Sequence, residues 1–255
     1  MTVIDLNCDM GESREAILDG TQDELLRHVT SASVACGGHA GDEWTMERTI
    51  RAGVEAGVAL GAHPGYPDPR NFGRLRLPMP PREIEETVYE QVCRLWATAG
   101  RLGASLVHVK PHGALYNVAA RDAEVAQAIA AGVARWRRDV VLVGLSGSLM
   151  LDAWREMGFA VAAEAFADRA YEADGSLRSR ALEGALYTDP AKAAAQALAV
   201  VERGRIVAAD GALLKVQART LCIHGDTPGA ARIAAEVARV LRQAGVELRG
   251  LLYWQ

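Results

Sequence analysis

Aromatic residues are scarce in this 255-residue chain, making up 5% of it as three phenylalanines, six tyrosines and five tryptophans. A long ring-lined groove for a polysaccharide is therefore poorly supplied. Cysteine is scarcer still. Cys8, Cys36, Cys93 and Cys222 form no C-x-x-C pair, and the chain is not a small frame in need of stapling, so reduced thiols are expected. No run of about 18 apolar residues occurs, so no membrane-spanning helix is expected. The opening residues MTVIDLNCDMGE lack a basic region followed by an apolar stretch, and a soluble cytoplasmic protein is the expectation. Concentrated positive charge is missing as well: the formal net charge is -4, and Lys and Arg are scattered apart from Arg135 to Arg138, which reads as a solvated helix end. No nucleic-acid partner is expected. Three catalytic signatures are absent: the G-x-x-x-x-G-K-[ST] nucleotide loop, H-E-x-x-H, and G-x-S-x-G, which GLSGS at Gly144 to Ser148 misses at its last position.

What is present is an alternation. Half of the residues are hydrophobic (50%), enough for a sizeable core, and no linker, low-complexity segment or internal repeat divides the chain, so a single domain over residues 1–255 is expected. Seven short β-rich runs stand out: VIDLN, ASVAC, GVALGAH, SLVHVK, VVLVGL, FAVAAEAF and RTLCIH. Amphipathic stretches lie between most of them, over Asp42 to Ala56, Pro81 to Leu102, Asp122 to Trp136, Ser148 to Met157, Asp189 to Arg203 and Thr227 to Ala244. TDPAKAA and DTPGAAR each offer an Asp or Thr cap ahead of a proline in the first turn. Strand then helix, repeated, with strands apolar on both faces, predicts an α/β fold of the closed or nearly closed (β/α) barrel kind, with a doubly wound open sheet as the alternative. Gly204 to Ala218 breaks the pattern, since two short β runs flank an Asp-Gly turn; a β-hairpin inserted before the last strand is expected.

Polar chemistry collects at the strand ends. Asn7, Asp9 and Glu12 follow the first run, His39 and Asp42 the second, and His63 and Asp68 the third. His108, Lys110 and His112 follow the fourth, Glu164, Asp168 and Arg169 the sixth, and His224 and Asp226 the last. Loops at the C-terminal ends of parallel barrel strands converge on one axis, which is where barrel enzymes keep their sites. Asn7 with Asp9, His108 with Lys110 and His112, and His224 with Asp226 are each spaced by two, so each set points to one side of an extended strand. Pro111 biases Lys110 toward that extended geometry. Glycines beside the histidines in CGGHAG, AHPGYPD, KPHGALYN and HGDTPG allow sharp turns and close backbone approach, and Ala35 to Asp42 is read as one wall of a small-ligand pocket.

The blocks DLNCDMGE, ACGGHAGD, GAHPGYPD, VKPHGALYN, EAFADRAY and HGDTP, in this order between Asp5 and Pro228, resemble the signature blocks of the LamB/YcsF family, the A component of an ATP-dependent 5-oxoprolinase. The resemblance implies a seven-stranded barrel related to those of glycoside hydrolases and polysaccharide deacetylases. It also implies a reaction in which 5-oxo-L-proline, ATP and water give L-glutamate, ADP and phosphate, with B and C subunits as partners. Lactam opening needs an activated carbonyl, a positioned water and a proton for the departing nitrogen. Asp9 or His112 suits the proton transfers, Lys110 suits electrostatic stabilisation, and Arg169 suits the substrate carboxylate. His39 and His63 complete the candidate catalytic set; Asn7, Glu12, Asp42, His224 and Asp226 join Arg169 as candidate substrate contacts. ATP enters as a co-substrate of the complex.

A divalent metal is a further candidate, with Asp9, His39 and His63 resembling the Asp and two His of related deacetylase barrels. Three function classes remain open at this point: a lactam-opening hydrolase subunit, a metal-dependent deacetylase acting alone, and a non-catalytic substrate-binding subunit. Only Tyr66, Phe72, Tyr116 and Tyr171 fall near the expected mouth, which argues against a sugar groove. The Pro- and Gly-rich loop from Pro64 to Arg74 is expected to cover the mouth as a lid.

Overall fold

Apolar runs buried on both faces and capped amphipathic segments alternate along the chain, and they fold as that alternation dictates. The computed structural model describes residues 2–251; Met1 and residues 252–255 of the expected domain lie outside it. The chain begins with β1 (Val3–Met10), α1 (Arg14–Leu18), α2 (Thr21–Leu26), β2 (Ser31–Ala35), α3 (Glu43–Ala56) and β3 (Ala59–His63). It continues with α4 (Pro81–Arg101), β4 (Leu106–Val109), α5 (Gly113–Ala119), α6 (Ala123–Trp136), β5 (Val141–Leu145), α7 (Leu149–Glu156) and β6 (Ala160–Phe166). It ends with α8 (Pro190–Arg203), the pair β7 (Arg205–Val207) and β8 (Leu213–Lys215), then β9 (Thr220–Ile223), α9 (Ala230–Gln243) and β10 (Glu247–Leu248).

Strands β1 to β6 follow one another in parallel, β9 pairs with β6, and β9 also pairs with β1, in the register Asp5 to Thr220 and Cys8 to Ile223. That last pairing closes a seven-stranded parallel barrel and removes the open-sheet alternative. The hairpin is where the Asp-Gly turn places it, with β7 antiparallel to β8. β10 adds two residues beside the start of β1.

Side-chain caps start three of the long helices. Asp42, Asp122 and Asp189 each accept a hydrogen bond from a first-turn amide of α3, α6 and α8. The cap expected for the last helix is a correction. α9 starts after Gly229, with no side-chain cap, because the Thr227 hydroxyl donates instead to Asp168 Oδ2 at 2.6 Å. Helices α1, α2 and α5, of five, six and seven residues, are too short to show a period in the sequence.

The barrel interior is apolar only in part, where Val141, Val143, Ala162 and Leu251 form a small buried cluster of their own. Elsewhere polar side chains bond one another from strand to strand. Asp5 accepts from Ser31, Thr30 and Thr220, and Asn7 donates to Glu164 and Thr220. His108 lies against Gly61, where a Cβ would collide with the ring. Gly61 thus makes room for an imidazole inside the barrel.

Candidate active site

The end of β4 delivers Lys110 into the barrel. Its ammonium lies 2.9 Å from Asp9 Oδ1, 2.9 Å from Glu164 Oε1, 3.1 Å from Asn7 Oδ1 and 3.1 Å from Cys222 Sγ. Three N–H donors thus face four acceptors, and every donor is committed. Glu164 is fixed further by Asn7 Nδ2 at 2.9 Å and by the Tyr116 hydroxyl at 2.8 Å. Burial by itself would lower the lysine pKa, but the facing Asp9, Cys222 and Glu164 hold it well above its ordinary value. Burial would likewise raise Asp9, yet His63 and Lys110 keep it well below the usual carboxylate range.

A second group stands beside the first. Glu12 Oε1 lies 2.8 Å from His39 Nε2, 3.2 Å from His112 Nδ1 and 3.8 Å from His63 Nε2. His63 Nε2 is 3.0 Å from His112 Nδ1 and 3.4 Å from Asp9 Oδ2. Burial would raise Glu12, but the close imidazoles of His112 and His39 hold it far below its ordinary value. Burial pushes His39 down to about 4 and also lowers His112. His63 moves the other way: against the effect of burial, the Asp9 carboxylate raises it.

The third element is an oriented imidazole. Asp168, buried at the end of β6, takes His224 Nδ1 at 3.0 Å, the His224 amide at 3.1 Å and the Thr227 hydroxyl. Against burial, these contacts hold Asp168 below its ordinary value. Donation from Nδ1 leaves Nε2 as the basic nitrogen, and His224 lines the cavity. The Phe166 ring stacks on this imidazole at 5.1 Å between centroids.

These groups share one cavity of about 520 Å3, bordered by Arg74, Arg121, Arg169, Arg178 and Arg180. Arg180 grips Asp226 with two bonds of 3.1 Å, and Arg74 bonds the same carboxylate. Arg169 differs from its neighbours. It is 6% exposed and donates to the Arg178 and Ala185 carbonyls, with no carboxylate paired to it among the described residues. Burial, reinforced by Arg180, pushes it down to about 10.

The structure therefore brings Asp9, Glu12, His63, Lys110, His112, Arg169, His224 and Asp226 to one cavity. Asp42 is not among them: it caps α3 in a box with Thr45 and pairs with Arg14 at the surface, so the expectation of substrate contact is corrected. Asn7 lies beneath the cavity as a partner of Lys110 and Glu164. The Ala35 to Asp42 loop supplies only His39, which is buried behind the cavity against Glu12 and does not line it. A Cβ on Gly38 would meet Gln91, and Gly41, at φ +90°, lies on the Ala35 carbonyl, so these glycines serve packing within the protein rather than ligand approach. The Pro64 to Arg74 loop does reach the mouth, where the Phe72 carbonyl meets His112 Nε2 at 2.9 Å. Two sets of metal-type donors gather among the described residues, Glu12 with His39, His63 and His112, and Asp9 with Cys222 and His224, so Asp9 falls in a different set from its expected companions His39 and His63.

Glu164, Asp168 and Tyr116 have no role that sequence reasoning assigns. Glu164 carries a signal, being in phase by two with Ala162 and Phe166 on β6. Asp168, just past the strand, is marked only by its place among the strand-end polar residues, and Tyr116, on the unforeseen α5, only by its place near the expected mouth.

The LamB/YcsF family model matches residues 4–254. The A component of 5-oxoprolinase from Chloroflexus aurantiacus is 54% identical over 249 residues, covering 98% of both chains. That of Bordetella pertussis is 47% identical over 246 residues, covering 96% of this chain and 98% of the relative. Among solved structures, the lactam utilization protein from Thermus thermophilus is 42% identical, with a TM-score of 0.88 over 98% of this chain and 100% of that one. A family 4 carbohydrate esterase from Streptomyces lividans shares the fold alone, at 12% identity and a TM-score of 0.50, over 97% of this chain and 91% of that one.

Proposed function

The chain belongs to the LamB/YcsF family, and we propose that it is the lactam-handling subunit of a 5-oxoprolinase, opening the ring of 5-oxo-L-proline to L-glutamate. The observation that carries this reading is the pairing, in one cavity, of a base and an anion receptor. His224 is oriented by Asp168, and Arg169 is a buried cation with no carboxylate paired to it among the described residues. The substrate has the complementary parts, an α-carboxylate and a ring amide. Arg169 takes the carboxylate. His224 Nε2 accepts a proton from the attacking water as the water adds to the carbonyl carbon. The C–N bond then breaks, and the departing nitrogen takes the proton that His224 Nε2 accepted from the water, which restores the base. Lys110 positions Asp9 and Glu164, its donors being fully used in doing so.

ATP dependence, partnership with B and C subunits and a cytoplasmic location are part of the same proposal. The resemblance to the family and the relatives' designation as one lettered component of a larger enzyme support them. This chain has no Walker-type loop, so nucleotide chemistry is assigned to the partners, and no step here is routed through ATP. Among the described residues no helix is long and apolar enough to cross a membrane.

The deciding assay is glutamate formation from 5-oxo-L-proline and ATP by this chain alone, by the B and C subunits alone, and by all three. Turnover is expected only in the full mixture, with binding of 5-oxo-L-proline to this chain detectable by calorimetry. Equal turnover without this chain would end the proposal. A carrier role would instead be indicated if His224→Ala left turnover intact.

A further inference from the structure

We propose that Glu12, His63 and His112 form a divalent-metal site, with a fourth position open to the cavity and His39 holding the Glu12 carboxylate in place. Two backbone carbonyls fix the tautomers of the facing imidazoles. His63 Nδ1 is 2.7 Å from the Lys110 carbonyl, and His112 Nε2 is 2.9 Å from the Phe72 carbonyl. A carbonyl only accepts, so each of these nitrogens carries a hydrogen, and in a neutral imidazole the other nitrogen is a bare lone pair. Those two lone pairs, His63 Nε2 and His112 Nδ1, face each other at 3.0 Å inside the protein. Glu12 Oε1, a third acceptor, lies 3.2 Å from His112 Nδ1 and 3.8 Å from His63 Nε2. Three converging acceptors repel one another unless a positive species sits among them. Imidazoles tied back through their far N–H to carbonyls are the usual surroundings of a metal ligand.

The spacing suits a metal better than chance packing would. With ligand bonds of about 2.0–2.1 Å, the edge of a coordination tetrahedron is about 3.3 Å. The three edges here, 3.0, 3.2 and 3.8 Å, bracket that value. The His63 and His112 rings stand at 90° to each other, so one point can lie in both ring planes. His39 fails this test. It is stacked on His112 at 3.5 Å with 4° between planes, and a metal in the plane of one ring is out of the plane of the other. His39 Nε2 instead donates to Glu12 at 2.8 Å, leaving its buried Nδ1 without a partner among the described residues.

Neighbouring groups narrow the site further. Asp9 has Oδ1 committed to Lys110, and Asp9, Cys222 and His224, the other gathered set of donors, include two that already bond that ammonium. Glu12, His63 and His112 all line the cavity, so the open position faces the space where a substrate binds. Two imidazoles and a carboxylate favour Zn2+ and its neighbours over Mg2+ or Ca2+.

The test does not depend on lactam chemistry. Chelator-treated protein is titrated with Co2+ and followed by its visible absorption, with Zn2+ as competitor. One equivalent with tetrahedral-type bands is expected, displaced by Zn2+, and Zn2+ should raise the melting temperature of the wild-type chain. Glu12→Gln and His112→Ala should each weaken Co2+ binding by more than about a hundredfold, and His39→Ala by about 10–100-fold. Asp9→Asn should retain binding within a few fold. Absence of Co2+ uptake and of any Zn2+-dependent thermal shift by the wild type would overturn the site and leave a shared proton among the three acceptors. Uptake that survives Glu12→Gln but not Asp9→Asn would overturn the ligand set.

Discussion

Replacing Lys110 by methionine keeps the stem and deletes only the charge. In the native protein its side chain is 3% exposed, and its ammonium bonds Asp9 and Glu164, themselves 5% and 0% exposed, at 2.9 Å each. The variant therefore strands two buried carboxylates at once. Removing one partner of a buried ion pair costs about 3–5 kcal/mol. For a domain of this size each kcal/mol corresponds to about 2–4 °C, so the melting temperature should drop by roughly 6–20 °C at pH 7. The pH dependence carries a sign that packing loss alone cannot mimic. In the wild type, Asp9 lies well below its ordinary value, so its contribution is present above the unfolded pKa of about 3.9 and is lost as pH falls through the lower folded value. Without Lys110 the Asp9 carboxylate loses one of the cations that hold it down, and protonation relieves it. The gap between variant and wild type should then narrow as pH is lowered from 7 toward about 4.5, measured by calorimetry or by circular dichroism melts. Adding Glu164→Gln to the variant should recover part of the loss. A variant that melts within about 2 °C of wild type at pH 7 would refute the view that this ammonium compensates buried charge.

Asp168→Asn should leave the fold intact while lowering glutamate formation in the full complex by on the order of a hundredfold or more, because the imidazole loses the partner that sets its tautomer. 5-Oxo-L-proline affinity, read by calorimetry, should change far less; parallel losses of both would place Asp168 in binding instead. Gly61→Ala drives a Cβ into the His108 ring, an overpacking expected to cost about 1–3 kcal/mol, or roughly 2–12 °C in melting temperature. An unchanged melt would show that the ring gives way freely. Burial raises the Asp5 carboxyl to about 6 despite its bonds from Ser31, Thr220 and Thr30. Its contribution should therefore be full below about pH 4 and lost as pH rises through the folded value. Asp5→Asn should remove that slope from urea-unfolding free energies measured across this window, and a slope that persists would assign it elsewhere.

The barrel is legible in the sequence because its signals are local. Apolar runs, caps and the Asp-Gly turn each act within a few residues, and β1 to β6, the hairpin and β9 all fall where those signals put them. The period of two likewise sets Asn7 and Asp9 on one side of β1. What stays hidden needs the third dimension. That Arg169 stands without a paired carboxylate among the described residues, while Arg74 and Arg180 share Asp226, depends on which loops meet at the mouth. Asp42 has the look of a ligand because it follows a histidine-bearing loop, yet an aspartate ahead of a helical run is first of all a cap, and the capping box claims it. The glycines of the same loop read as openings for a ligand. They are openings for Gln91 and for the chain's own backbone.

Asp9 ties the two halves of the site together. One carboxylate oxygen bonds Lys110 at 2.9 Å, and the other lies 3.4 Å from His63 Nε2, the atom proposed to face a metal. The ammonium holds Asp9 toward the β4, β6 and β9 side, where Glu164 and Cys222 also bond that ammonium, while the second Asp9 oxygen acts on His63 through its Nε2. Charge on His63 and charge on Lys110 therefore answer to the same anion. A cation entering among Glu12, His63 and His112 would displace the proton that Asp9 favours on His63, leaving that carboxylate to Lys110 alone. Such coupling through a single buried group makes additivity fail. Lys110→Met and His112→Ala, combined, should therefore change Co2+ affinity by an amount that differs from the sum of the single effects, measured by the same titration. Strict additivity would show that Asp9 does not couple the ammonium to the imidazoles.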